Sequence, residues 1–148
     1  MGNRYIVKLK GITPGAGSDI LTIVTAAARR ARLVEVSVAG NGTTSAYQMI
    51  EVGRSTGGST GGSSQIPGKF DHTDQPLQVH SYFTTWGTQP SLDANSEVVG
   101  WNALGGANRW IPPKGSGLEA RAGELISIRC SLGSTPQPQS VSVIVEED

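Results

Sequence analysis

The residues most able to do chemistry in this chain are few and scattered. His72 lies in FDHTD between Asp71 and Asp74, and the second histidine is His80. A zinc set needs further His or Cys at ligand spacing, and a calcium loop needs more oxygens at fixed steps. Neither pattern follows, so FDHTD reads as a solvated loop. Cys130 is the single cysteine, which excludes an internal disulfide. It falls on the apolar side of an alternating run, where a thiol is buried and inert. There is no G-x-S-x-G elbow, although a Ser/His/Asp triad is recognised by geometry and not by order. The glycines of TGGSTGGSS are not followed by Lys-Ser or Lys-Thr, so no phosphate-binding loop is present. Glu119/Glu124 and Glu146/Glu147 read as surface charge and not as a glycosidase pair. The expectation is a protein with no enzymatic activity, no metal and no cofactor.

The aromatic residues are the more informative side chains. Trp86, Trp101 and Trp110 stand among three tyrosines and two phenylalanines. Tryptophan fills cores, stacks on sugars and anchors protein interfaces. Trp110 follows Arg109 and precedes IPPKG, a rim-like setting, and is the first candidate for contact. With the cations and the aromatic residue near the start of the chain, the candidate interface is Arg4, Tyr5, Arg29, Arg30, Trp86, Arg109 and Trp110.

The elements that must carry these residues are strands. Apolar residues alternate at 4–10, where Tyr5, Val7 and Leu9 oppose Arg4, Ile6, Lys8 and Lys10. ITPGAGSD is a turn, 20–25 is a short β-branched run, and TAAARRAR is a turn or a single helical turn. The runs at 33–39 and 47–52 flank GNGT and read as a hairpin, because Asn-Gly is the strongest short hairpin signal. A Gly/Ser/Thr tract begins at Arg54 and reads as a flexible loop over 54–68, long enough to suggest an interaction loop. Alternation returns at 77–85, and 98–102 and 109–111 read as short strands, the latter stopped by Pro112-Pro113. It closes with 124–131 and 140–146, read as two strands ending one antiparallel sheet. Residues 1–5 form a possible arm. The expected fold is all-β, an antiparallel jelly roll or β-sandwich of about eight short strands with little helix, in one domain over 1–148. A Greek-key barrel is the alternative.

Composition agrees with that class. Glycine is 20 of 148 residues, against an ordinary share of about 7%. Formal charge is zero, yet residues 1–54 hold seven of the twelve cations and three of the twelve anions. A two-signed molecule pairs with a partner or with copies of itself. A neutral chain is a poor binder of nucleic acid, whose affinity rests on phosphate neutralisation. No apolar run reaches the length of a membrane span, and MGNRYIVKLKG lacks the features of a secretory signal.

Taken together, RRARLVEVSVAG with its small-residue turn, the long Gly/Ser/Pro loop, RWIPPKGSGLEARAGE, and the closing S-V-S-V strand with its acidic end resemble a jelly-roll cement (decoration) protein of a tailed-bacteriophage capsid. The resemblance covers residues 27–148 and is one of pattern. It carries over no catalytic or binding residue. It implies a virion protein on the outer capsid surface that binds the major capsid protein and copies of itself. A homotrimer is preferred and a dimer is possible. The implied role is stabilisation of the shell against internal DNA pressure, with no direct contact to nucleic acid or membrane. Cupins share the architecture but need clustered histidines, which this chain lacks. Two other readings stay open: a carbohydrate- or receptor-binding jelly-roll module, carried by the tryptophans, and a minor tail or capsid component.

Overall fold

A computed structural model describes residues 3–58, 62–69, 80–84, 88–112, 118–135 and 137–147. Within them the chain is all strand and turn. The first four strands are β1 (Asn3–Ile12), β2 (Asp19–Val24), β3 (Ala31–Gly40) and β4 (Tyr47–Thr56). Short segments follow: β5 (Ser64–Gln65), β6 (Gly68–Lys69), β7 (Ser81–Phe83) and β8 (Ser91–Leu92). The chain closes through β9 (Glu97–Asn102), β10 (Ala107–Trp110), β11 (Leu118–Ala120), β12 (Leu125–Cys130) and β13 (Gln139–Glu147).

These strands form two antiparallel sheets packed face to face. The first runs β10–β3–β13–β1–β6, with β11 also on β3. The second runs β5–β7–β2–β12–β4–β8, with β9 also on β4. With β5 to β8 set aside and β10 and β11 counted as one position, eight strand positions remain. The first sheet holds the first, eighth, third and sixth of them, and the second holds the second, seventh, fourth and fifth. This is the interleaving of a jelly roll, and it matches the expected fold class.

Period-2 patterning explains which sides meet. Val7 and Leu9 of β1, Val141, Val143 and Val145 of β13, and Ile50 and Val52 of β4 all face the shared core. A bulge opposite Ile144/Val145 changes the phase of β3, so that Leu33, Val36 and Val38 all face inward. Cys130 is 1% exposed, and burial pushes its thiol pKa up.

Two expected pairings are not formed. The run at 33–39 and the run at 47–52 are β3 and β4, which lie in opposite sheets. The GNGT turn does not close a hairpin. Neither Asn41 nor Gly42 takes the positive φ a tight hairpin turn needs. Their amides are used elsewhere, Asn41 N donating to Pro138 O at 2.9 Å and Gly42 N to Ala103 O at 2.8 Å. Likewise 124–131 and 140–146 are β12 and β13, one in each sheet, and do not pair. In both cases the alternation is real, but it reports which face is buried and not which strand is the neighbour.

The expected arm at 1–5 is also absent from residue 3 onward. Asn3, Arg4 and Tyr5 pair with Glu147, Glu146 and Val145 in β1–β13. Of the 54–68 tract, Arg54 to Thr56 belong to β4, and Ser64–Gln65 and Gly68–Lys69 are strands; 59–61 lie outside the described residues. The strand expected at 77–85 is described only from residue 80 to 84, and FDHTD lies outside the described residues.

Four loops gather at one end of the sandwich: 13–18, 41–46, 103–106 and 131–138. Backbone bonds tie 41–46 to the 103–106 and 131–138 loops, Gly42 N donating to Ala103 O and Asn41 N to Pro138 O. Gly17 N of the 13–18 loop donates to Cys130 O at the end of β12 at 2.8 Å. The 25–30 turn, the long 57–96 connection and the 111–124 connection leave from the opposite end.

Candidate interaction surface

The outer face of the first sheet collects the side chains that point away from the core on β1, β13, β3 and β10. Register places Arg4 beside Glu146, and Glu146 beside Arg32. Glu146 is held from both sides, by Arg4 Nε at 3.0 Å and Arg32 Nη2 at 2.6 Å. Further along, Lys8, Ser142, Ser37 and Arg109 form one row across four strands, about 14 Å wide at the usual strand spacing. Arg109 Nε lies 3.5 Å from Glu35 Oε1, and Ser37 Oγ donates to the same oxygen at 2.9 Å. Between these charges the floor is small: Ser37, Ala39, Ala107, Ser140 and Ser142 line an open groove.

The charges on this face are unequal in height. The Glu146 and Glu35 side chains are 8% and 21% exposed, whereas Arg4, Arg32 and Arg109 are 43%, 44% and 62% exposed. The carboxylates are recessed and the guanidiniums project, so the face meets solvent as a cationic surface. Exposed pairs of this kind add little to stability; their arrangement matters for recognition.

At the end of this face the 25–30 turn presents Arg29 and Arg30, both exposed, to solvent. Its conformation is built. Ala28 is held at φ 58°, a left-handed conformation that costs energy for a residue with a Cβ. His80, 2% exposed, clamps the turn from beneath. Ala26 N donates to His80 Nδ1 at 3.0 Å, which leaves Nε2 to donate to Arg30 O at 2.9 Å. His80 is thus a positioning residue that sequence reasoning missed. Its pattern marked it only as one side of an alternating strand.

The same end holds a buried tyrosine–carboxylate pair. Tyr82 OH donates to Glu147 Oε1 at 2.6 Å. Burial pushes the Tyr82 phenol above its usual range, and the Glu147 carboxylate beside it adds to the effect. The unfolded phenol ionises near pH 10, while the folded one keeps its proton. The pair's stabilisation is therefore complete below about pH 10 and is lost as pH rises further. Tyr82→Phe is expected to lower stability at neutral pH by about 2 kcal/mol. It should also flatten the alkaline fall by about 1.4 kcal/mol per pH unit. Urea unfolding between pH 8 and 11 measures both; an unchanged alkaline slope would remove Tyr82 as its source.

Of the residues expected at an interface, Arg4 and Arg109 share the outer face, and Arg29 and Arg30 lie at its end. Tyr5 is corrected: it is 2% exposed and belongs to the interior. Trp110 is corrected as well, since it sits opposite Val36 and packs against the core from the edge strand. Trp101 is core, at 6% exposure. Trp86 lies outside the described residues. Among the described residues, no group of His, Cys, Asp or Glu is arranged to hold a metal ion, and no helix is long and apolar enough to cross a membrane. No protein-family model matches the chain, and no curated protein matches it.

Proposed function

We propose that this chain is a non-enzymatic structural protein of a virion, one that binds the outer capsid as a homo-oligomer and stabilises the shell against the pressure of packaged DNA. The observation that carries this reading is the arginine-tipped end. Arg29 and Arg30 stand on a strained turn clamped by His80, and Arg4 and Arg32 flank the single recessed Glu146. Strain and a buried clamp spent on displaying two cations suit a docking contact for an acidic protein surface. The jelly roll supports it only at the level of architecture, which viral capsid proteins share with lectins. A partner bound in many copies would hold the shell closed by mass action.

Mixing the purified protein with capsids that lack it, then pelleting them, tests the reading. Stoichiometric co-sedimentation and capsids that survive heating better are expected. Arg29→Glu with Arg30→Glu should weaken binding at least tenfold. Folded protein that stays wholly in the supernatant overturns the reading. The carbohydrate- or receptor-binding alternative stands second, because it rests on aromatic platforms. Trp101 and Trp110 are turned inward, and among the described aromatic rings only Tyr47, at 63%, is largely exposed.

A further inference from the structure

The second sheet has an outer face of its own, and its chemistry is the complement of the first. Tyr47, Met49 and Glu51 alternate outward on β4, and their neighbours on β9 are Asn102, Gly100 and Val98. Tyr47 lies over Gly100, where a Cβ would come within 2.8 Å of its hydroxyl. Tyr47 and Val98 are 63% and 53% exposed, and Leu132, beside Gly17 at the adjoining loop end, is 81% exposed. Exposed apolar side chains gathered on one face mark a contact surface. Beside them a shallow depression carries Glu51 and Asp93. Among the described residues the one cation in that depression, Arg129, is only 14% exposed and is paired with Asp19 at 2.6 Å. The surface is an apolar patch with an anionic border. The first sheet offers a small-residue floor, half-buried Ile6 and Ile144 in register on it, and a projecting cationic rim.

We propose that copies of this chain associate head to tail, the cationic outer face of the first sheet in one copy seated on the anionic, apolar outer face of the second sheet in the next. Tyr47 enters the groove floored by Ser37, Ala39 and Ser142, and Glu51 and Asp93 meet Lys8 and Arg109. The occupant is a second copy because both halves of the complement are on one chain, on opposite faces of one sandwich. Such an interface is heterologous: each copy uses one face to give and the other to receive, and the assembly closes into a ring if its rotation permits. The inference deepens the homo-oligomer part of the proposed function and rests on it. It leaves Arg29 and Arg30, at the end of the sandwich, free for the capsid.

The test is the size of the assembly in solution. Wild-type protein at low ionic strength is expected to sediment as an oligomer that dissociates as salt is raised. Lys8→Glu with Arg109→Glu, and separately Tyr47→Ala with Glu51→Lys, should each weaken self-association at least tenfold while circular dichroism shows the fold intact. An equimolar mixture of the two variants should give a one-to-one dimer, because one intact face survives on each. A wild-type chain that is monomeric at low salt, or two monomeric variants that stay monomeric when mixed, overturns the proposal. So does a variant that still assembles alone. A monomer that pellets with capsids sinks the head-to-tail pairing and leaves the capsid reading standing; an oligomer that does not pellet does the reverse.

Discussion

Asp19→Ala will lower stability by about 3–5 kcal/mol, the cost of leaving a buried charge without its partner, and Tm by roughly 10–15 °C. The Asp19 carboxylate is fully enclosed and accepts three bonds. Thr22 Oγ1 and Ser127 Oγ donate to Oδ2 at 2.6 Å each, and Arg129 Nε donates to Oδ1 at 2.6 Å. Ser127 in turn accepts from Ser55 Oγ at 2.6 Å, and Arg129 Nη2 donates to Pro90 O. One carboxylate therefore joins β2, β12 and β4 to the loop that covers the outside of the second sheet. Without it Arg129 keeps a mostly buried positive charge. Asp19→Asn keeps the volume but turns an amide donor toward groups that are themselves donors, so it should cost nearly as much. Adding Arg129→Met to Asp19→Ala should recover part of the loss, because the stranded charge is removed. Urea unfolding gives each value; a change below 1 kcal/mol for Asp19→Ala would show that the network contributes little.

Gly40→Ala is the second large effect, with an expected loss of about 3 kcal/mol. The position needs space, not an unusual φ. A Cβ there would lie 2.5 Å from both Asn102 O, at the end of β9, and Ala103 O, in the loop that follows it. Gly40 N already donates to Gly106 O at 2.8 Å. A methyl group must push β3 off that loop and break the bonds by which the two sheets are tied at this end. Gly68→Ala is the control. Its Cβ would meet nothing closer than 3.8 Å, so the smaller freedom of the unfolded chain should leave it neutral or slightly more stable. Equal behaviour of the two variants in thermal melts would sink the packing argument.

These two residues also show where sequence reading stops. The class of fold was legible because period-2 alternation at Val141, Val143 and Val145 is a local property and survives any arrangement of neighbours. Pairing was not legible. Asn41-Gly42 carries the strongest hairpin dipeptide, yet its amides bond to residues some sixty and a hundred places away, Ala103 and Pro138. Nothing within a few residues of the turn records that competition. Arg4, Arg29, Arg30 and Arg109 could be found on the surface by type alone, since charged side chains rarely go inside unpaired. Tyr5 and Trp110 could not be placed by type, because an aromatic residue suits core and contact equally. Asp19 and His80 were missed for a related reason. A carboxylate enclosed by three donors and an imidazole clamping a turn are made by segments distant in the chain.

The place of β13 between β3 and β1 has a consequence for synthesis. The central strand of the first sheet is the last of its strands to be made. At about 5–20 residues per second, roughly 6–25 s separate the completion of β1 from the start of β13. Until β13 is made, Val7 and Leu9 of β1 have no strand beside them, and β1 and β3 each present an open backbone edge on the side that β13 fills. The first sheet cannot close until β13 has been made. A ribosome that stalls before Gln139 releases a sheet with its middle missing, a species built to pair with its own copies by the wrong edges.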